Sequence, residues 1–112
     1  MEIYRNKNTV FIQAEGKVSF LTVNEIKRLV YDYIEPKDTE IVVNLSKVDF
    51  LDSAGLGLLI SFLKLMKKRG GKVVLEHPKL GVQKLLEMTR MDELFDVKKR
   101  PEPTTGSWNE FM

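Results

Sequence analysis

The chain has 112 residues, which is enough for one hydrophobic core and too few for a two-domain enzyme. Hydrophobic residues make up 43% and charged residues 30% of the sequence, a composition typical of a globular domain rather than of a disordered or fibrous chain. The 18 basic residues nearly balance the 16 acidic ones, so the net charge of +2 gives no indication of direct DNA binding.

The cysteine count and the length of the apolar segments limit the cellular compartments in which the protein is expected. The chain has no cysteine, which excludes a disulfide scaffold, a thiol nucleophile and zinc sites of the cysteine type. The N-terminus lacks the apolar region of a signal peptide, and the longest uncharged apolar-rich stretch, Ser53–Leu63, is too short to span a bilayer. We therefore expect a cytoplasmic protein with no membrane association.

Two strands are predicted at the start of the chain. The residues Thr9–Ala14 favour a strand, and Ile3–Tyr4 is expected to pair with it across a short turn at Asn6–Asn8. Gly16 is expected to end the second strand.

A helix and a buried strand are predicted next. Thr22 and Glu25 have the spacing of a capping box, so a helix is expected to begin there and to stop before Pro36. The β-branched run Ile41–Leu45 predicts a buried strand, and the more polar segment Ser46–Asp52 is expected to be a loop.

The segment from Ser53 to about Arg69 predicts a second helix that is apolar over more than half of its circumference. Such a helix is either deeply buried or offers a surface to a partner. Gly70 and Gly71 are expected to supply the left-handed C-cap. The apolar residues of this helix are Leu56, Leu58, Leu59, Ile60, Phe62, Leu63, Leu65 and Met66.

The remaining elements complete an α/β fold. Lys72–Glu76 predicts a third core strand, Pro78 is placed in the first turn of a third helix, and Phe95 and Val97 indicate a last short strand or a packed end. The order is ββαβαβα(β), which predicts a mixed sheet of four to five strands with helices packed on it. Residues 1–99 are expected to form this domain, while residues 100–112 form either a tail or a short docking helix.

The sequence lacks residues that the common enzyme motifs require. His77 is the only histidine, and Leu51 stands where a G-x-S-x-G nucleophile elbow around Ser53 needs its first glycine. Ile60 replaces the third glycine of a G-x-G-x-x-G phosphate loop. We expect no enzymatic activity, no metal site and no cofactor, although a small hydrolase using Ser53 is kept as a hypothesis to test.

Ser53 at the start of the second helix allows two interpretations. In the structural one, Ser53 is the N-cap residue, and Ala54, Gly55 and Gly57 are small so that the helix can approach its neighbours. In the functional one, the serine is exposed at a helix N-terminus, where the fold tolerates a phosphoryl group that changes the binding of a partner. The residues alone leave both open.

A longer stretch resembles a known family. The residues from Ile41 to Leu59, with Asp52, Ser53, Gly55 and Leu56 at its centre, are similar to the signature of the STAS domain, specifically of bacterial anti-sigma factor antagonists. The similarity continues through Lys72–Leu75, Val82, Leu85, Leu86 and Asp92–Phe95, so it covers roughly residues 3 to 98.

The resemblance implies a partner-switching regulator of transcription. The unphosphorylated form would bind an anti-sigma factor that is a serine/threonine kinase, and this binding would release a sigma factor. Phosphorylation of Ser53 would end the binding, and a serine phosphatase would restore it. The alternative is a STAS domain used as a structural scaffold or as a nucleotide sensor without a phosphoswitch.

The resemblance also implies site residues. Ser53 would be the phosphate acceptor, and Asp52 would orient its hydroxyl or help to hold the metal and nucleotide of the kinase. Where the family often has an acidic residue near the partner site, this chain has Ser19. The expected partner-binding residues are Ser19, Asp52, Ser53, Gly55, Leu56, Leu58 and Phe62, although core packing is an alternative role for Leu56.

Overall fold

The computed structural model describes residues 1–99, and the predicted tail or docking helix at 100–112 lies outside this range. The observed order of elements confirms the predicted α/β fold class, with a single short 3-10 turn, Met91–Glu93, before the last described strand. In chain order the strands and helices are β1 (Glu2–Asn6), β2 (Thr9–Val18), α1 (Val23–Tyr33), β3 (Glu40–Leu51), α2 (Ser53–Lys68), β4 (Lys72–Glu76), α3 (Leu80–Met88) and β5 (Asp96–Lys98).

The five described strands form one mixed sheet in the order β1-β2-β3-β4-β5. β1 and β2 form the predicted hairpin and pair antiparallel, while β2, β3, β4 and β5 are parallel to one another. Each parallel connection passes through a helix, as crossovers between parallel neighbours require. The carboxyl ends of β2, β3 and β4 therefore lie at the same edge of the sheet.

Two strands are longer than the sequence predicts, because they extend together. β2 does not end at Gly16, and the predicted loop after Leu45 is strand as far as Leu51. The pairing of β2 with β3 resumes after a register shift and continues to Val18 opposite Leu51. Gly16 has a φ of 68°, a left-handed conformation that glycine adopts without strain, and it lies next to the second register shift.

One face of the sheet carries the core. Alternate residues of the central strands point to this face and pack with the buried residues of all three helices. The core residues from the strands include Val10, Ile12, Ala14, Ile41, Val43, Leu45, Val73 and Leu75, and those from the helices include Val30, Leu59, Phe62, Met66, Val82 and Leu86.

The sequence predicts the C-terminal end of α2 correctly but not the N-terminal start of α3. The α2 C-terminus is the predicted glycine cap: Gly70 has a φ of 73°, and the Gly71 amide donates to the Met66 carbonyl at 2.8 Å. α3, by contrast, begins at Leu80 rather than at Pro78, because Lys79 holds the N-cap position in an extended conformation. The prediction for this boundary is wrong by two residues.

A buried carboxylate ties the hairpin to the loop after α1. Arg5 of β1 donates from Nε and Nη2 to the two oxygens of Asp38, at 2.8 and 2.7 Å, and Asp38 is 0% exposed. Arg69, just past α2, donates to the carbonyl oxygens of Glu35 and Asp38. These bonds fix the amino end of β3. They therefore also set the direction in which the strand runs toward its carboxyl end.

Candidate functional site

The candidate site lies where β3 passes into α2. β3 ends at Leu51, Asp52 is the N-cap residue of α2, and Ser53 is the first residue of the helix with an exposed side chain. The structural interpretation of Ser53 as the N-cap is wrong, because the capping oxygen belongs to Asp52. Ser53 is therefore left at the first turn with its side chain in solvent.

The Asp52 carboxylate holds two backbone segments together. Its Oδ1 accepts a hydrogen bond from the Gly55 amide at 2.9 Å, and its Oδ2 accepts one from the Phe20 amide at 3.1 Å. Hydrogen bonds from backbone amides stabilise the charged carboxylate and hold the pKa of Asp52 below its usual range. The bond from the Gly55 amide has the largest effect. Both oxygens are thus engaged with backbone amides, and the carboxylate fixes the loop after β2 against the start of α2.

Gly55 allows α2 to pack closely on the sheet. A Cβ atom at this position would lie 2.3 Å from the carbonyl oxygen of Val18 and 2.5 Å from Cδ1 of Leu51. Gly55 is buried, so the structure gives this predicted partner-binding residue a packing role. Gly57 differs, because a Cβ there would meet no atom within 4 Å.

The loop between β2 and α1 is organised by Ser19 and Thr22. The Ser19 carbonyl accepts from the amides of Thr22 and Val23, and the Ser19 side chain accepts from the Leu21 amide at 3.3 Å. Ser19 is only 3% exposed, so the prediction of a partner contact through its side chain does not fit its burial.

The predicted capping box is absent at Thr22. The Thr22 hydroxyl accepts from the Ser19 amide and donates to the carbonyl of Lys17, and it makes no side-chain cap of α1. The threonine therefore closes the preceding loop instead of the helix that follows.

Three predicted contact residues on α2 lie in the core instead of on the surface. Leu56, Leu58 and Phe62 are 8%, 5% and 1% exposed. They belong to the same cluster as the sheet residues, because this side of α2 faces the sheet and α1. The prediction that they line a partner surface is corrected accordingly, and the alternative core role of Leu56 is the one the structure shows.

Exposed apolar residues that the sequence analysis missed surround the site. Phe20 and Leu21 are 70% and 75% exposed, and the Phe20 amide is bonded to Asp52. Phe50, two residues before Asp52, is 49% exposed. We call Phe20, Leu21, Phe50 and Ser53 the Ser53 surface. A signal was present, since Phe20 and Leu21 stand outside the periodic pattern of either neighbouring element.

A groove of about 190 Å³ lies between α1 and the first half of α2. Its lining is mixed, with polar side chains from both helices and small residues at the start of α2. The residues that line it are Val23, Asn24, Lys27, Ala54, Gly57, Leu58 and Ser61. Its lining begins at Ala54, the residue that follows the exposed serine in the chain.

His77 lies in a different loop. It has a φ of 53°, its amide donates to the Lys98 carbonyl at 2.7 Å, and its Nε2 lies 3.8 Å from a carboxylate oxygen of Glu76. Within residues 1–99, no three His, Cys, Asp or Glu side chains are grouped as metal ligands would be. None of the helices in that range is long and apolar enough to cross a membrane.

The chain is similar to known proteins over nearly all of its length. Residues 1–105 match the STAS domain family. The anti-sigma-B factor antagonist of Bacillus subtilis (strain 168) is 22% identical over 102 residues, covering 91% of this chain and 93% of the relative.

Two solved structures have the same fold. The anti-sigma factor antagonist SpoIIAA in its unphosphorylated form superimposes with a TM-score of 0.77 at 19% identity, covering 99% of this chain and 96% of that one. The phosphorylated form of SpoIIAA, a Bacillus cell fate determinant, gives a TM-score of 0.71 at 18% identity, covering 99% and 98%. With a family match that extends over nearly the whole sequence, the chain belongs to the STAS domain family.

Proposed function

We propose that this protein is an anti-sigma factor antagonist that binds an anti-sigma factor with serine/threonine kinase activity and so releases a sigma factor for transcription. The observation that carries the proposal is the exposed Ser53 at the first turn of α2, set among exposed apolar residues. The names of the relatives support it, since the Bacillus subtilis protein is an anti-sigma-B factor antagonist. In this role the chain is the substrate of an enzyme and not itself one.

The Ser53 surface has the chemistry of a partner contact. Phe20 and Leu21 project from a loop that Asp52 fixes in place, so two large apolar side chains are held near Ser53 without a covering element in residues 1–99. An aromatic side chain such as Phe20, held this way, gives contact area at little cost in conformational entropy. Binding of the kinase would bury these side chains and bring Ser53 to its nucleotide.

Phosphorylation of Ser53 would reverse the binding through charge. A phosphoryl group adds about −1.5 to −2 charges at neutral pH. The free amides at the start of α2 tolerate an anion, so the fold would survive the modification. Because the Asp52 carboxylate is adjacent in the chain and already charged, the combined negative charge would oppose docking of an apolar partner surface. A serine phosphatase would restore the binding form.

The experiment is phosphorylation and binding with a candidate anti-sigma kinase. The intact mass after incubation with ATP and Mg²⁺ should rise by about 80 Da, and peptide mapping should place the group on Ser53. Ser53→Ala should remain unmodified and keep binding, while Ser53→Asp should fold and lose binding.

Ser61→Ala is the matched control, because Ser61 lies two turns along the same helix with its hydroxyl on the Gly57 carbonyl. Because Ser61 also lines the groove between α1 and α2, the variant is a control for phosphorylation alone, and it should be phosphorylated on Ser53 like the wild type. If Ser53→Asp and Ser53→Ala bind the kinase equally well, the proposed switch is wrong.

A further inference from the structure

One edge of β2 has no strand partner along its second half. β1 pairs with β2 only as far as Gln13, which lies opposite Glu2, whereas β2 runs on to Val18. On its other side β2 is paired with β3 up to Val18. In the part of the chain that the structure describes, residues 14–18 therefore present an unpaired edge, which we call the β2 edge. At about 3.4 Å per residue it is about 17 Å long.

The backbone of the β2 edge can accept a further strand. The Val18 carbonyl accepts from the Asp52 amide on the β3 side, so the backbone groups of Lys17 face the opposite side by the alternation of a strand. There the Lys17 carbonyl accepts from the Thr22 hydroxyl at 2.9 Å, and its second lone pair can take another donor. An unpaired edge of this kind is a template for a strand of another chain.

A groove of about 250 Å³ lies along the β2 edge, beside α1. Thr22, Glu25, Ile26 and Leu29 line the groove with the spacing of one helix face. Leu29 is 38% exposed, and Met1, which also lines the groove, is 42% exposed. The groove therefore offers apolar side chains next to the unpaired backbone.

The charged side chains of the β2 edge are complementary to those of a second copy. Glu15 and Lys17 are exposed and line the groove, and neither forms an ion pair with any residue from 1 to 99. They stand on either side of Gly16. When two such edges lie antiparallel with Gly16 on a two-fold axis, Glu15 of each copy lies opposite Lys17 of the other. One axis thus creates two pairs of opposite charge.

We propose that the β2 edge is a contact between two copies of this chain, paired antiparallel about a two-fold axis at Gly16. Gly16 has no side chain, so the two strands can approach each other at the axis. The α1 faces that line the two grooves would then meet beside the axis. A second copy fits better than an unrelated strand, because a two-fold contact needs a self-complementary surface and the order of Glu15 and Lys17 supplies one.

The size of the β2 edge sets the expected strength. One short strand edge and one helix face offer less than the roughly 800 Å² that each partner buries in a stable interface, so the dimer should be weak. The contact involves neither Ser53 nor a kinase. It therefore stands or falls independently of the proposed function.

Sedimentation velocity of the isolated chain, at concentrations up to about 1 mM, tests the proposal. The wild type should form a dimer that weakens as salt is added, since two exposed ion pairs contribute to it. Glu15→Lys and Lys17→Glu should each raise the dissociation constant about tenfold or more, because each places like charges opposite one another twice. The double variant Glu15→Lys/Lys17→Glu exchanges the charges and should restore association to within about threefold of the wild type.

Lys47→Glu is the matched control. Lys47 is exposed and pairs with Glu15 on the β3 side, so this variant creates like-charged neighbours within one chain, as Glu15→Lys does. It leaves the residues of the β2 edge and the groove unchanged and should associate like the wild type. Circular dichroism and urea unfolding of every variant separate a loss of association from a loss of folding.

Three results would overturn the proposal. A chain that stays monomeric up to about 1 mM makes no such contact. A dimer that both single variants leave unchanged uses another surface. A double variant as weak as the single variants would show that Glu15 and Lys17 do not meet across the axis. If a single variant fails to fold, Leu29→Lys decides the matter, since it removes an exposed apolar contact beside the axis, and an unchanged dimer would then contradict the proposal.

Discussion

The carboxylate of Asp52 lies 3.1 Å from the backbone nitrogen of Phe20, and this hydrogen bond links the start of α2 to the loop that presents the exposed aromatic ring. The other oxygen of the same carboxylate caps α2 at the Gly55 amide. One side chain thus sets the position of Ser53 and of Phe20 relative to each other. A change in the charge or bonding of Asp52 is therefore expected to alter both parts of the Ser53 surface.

The first prediction separates the two bonds of Asp52. In Asp52→Asn, the amide oxygen can still cap α2, but the NH₂ group that replaces Oδ2 would face the Phe20 amide, and two donors cannot pair. The loop should loosen while α2 remains, so the Phe20 amide should exchange its hydrogen faster. Asp52→Ala should lose both bonds and show a lower melting temperature than Asp52→Asn.

Asp49→Asn is the control for this pair, since Asp49 is an exposed carboxylate three residues away that bonds Lys79. Its exchange at Phe20 should match the wild type. Unchanged exchange at Phe20 in Asp52→Asn, measured by nuclear magnetic resonance, would mean that the loop is held by other contacts.

The second prediction compares two glycines of the same helix. Gly55→Ala should destabilise the domain, because its Cβ would lie 2.3 Å from the Val18 carbonyl oxygen and only a shift of α2 could relieve the contact. Gly57→Ala should stabilise it by about 0.5–1 kcal/mol, since the position is an open helix interior. Urea unfolding of the two variants measures both effects. Similar stabilities would show that α2 can move away from β2 at little cost.

The order and type of the elements could be predicted because each has a clear hydrophobic period. The extensions of β2 and β3 could not, because Ser46, Lys47 and Asp49 make the second half of β3 as polar as a loop. That segment is a strand only because its backbone pairs with the end of β2, a long-range contact that local composition does not encode.

The site was predictable in its centre and not in its surroundings. Ser53 and Asp52 could be located from the sequence, since a polar pair stands where a strand passes into a helix. α2 is apolar around more than half of its circumference, so the pattern could not tell that Leu58 and Phe62 face the core. Phe20 is exposed because its loop is held by Asp52, a contact between residues 32 positions apart.

The third prediction concerns pH. The hydrogen bond from Arg5 holds the pKa of Asp38 below its usual 3.8, and amide donors, first that of Gly55, do the same for Asp52. For a carboxyl whose pKa is lower in the folded state, the unfolded chain binds more protons, so stability rises with pH in that range. The free energy of unfolding should be fully maintained above pH 3.8 and should fall as the pH drops through the folded-state pKa values.

Asp38→Asn tests the part of this dependence that belongs to Asp38. The variant should be less stable than the wild type at neutral pH, because Arg5 loses its buried charged partner and keeps only the more distant Glu35 carboxylate. Its stability should also change less with pH in the acid range. Urea unfolding over a series of acidic buffers gives both quantities, and a variant with the full wild-type pH slope would assign the dependence to other carboxyls.

The fourth prediction distinguishes a phenylalanine that packs in the core from one that contacts the partner. Phe62 is 1% exposed, so Phe62→Ala should cost about 3–5 kcal/mol of stability and reduce partner binding only through unfolding. Phe20 is 70% exposed, so Phe20→Ser should change stability by less than about 0.5 kcal/mol. If the Ser53 surface is the contact, the Phe20 variant should bind the anti-sigma kinase at least tenfold more weakly, about 1.4 kcal/mol.

Calorimetric titration of each variant, paired with its urea unfolding curve, measures affinity and stability separately. Wild-type affinity in Phe20→Ser would move the contact away from this loop and toward the groove between α1 and α2, where Lys27→Ala would be the next variant to titrate.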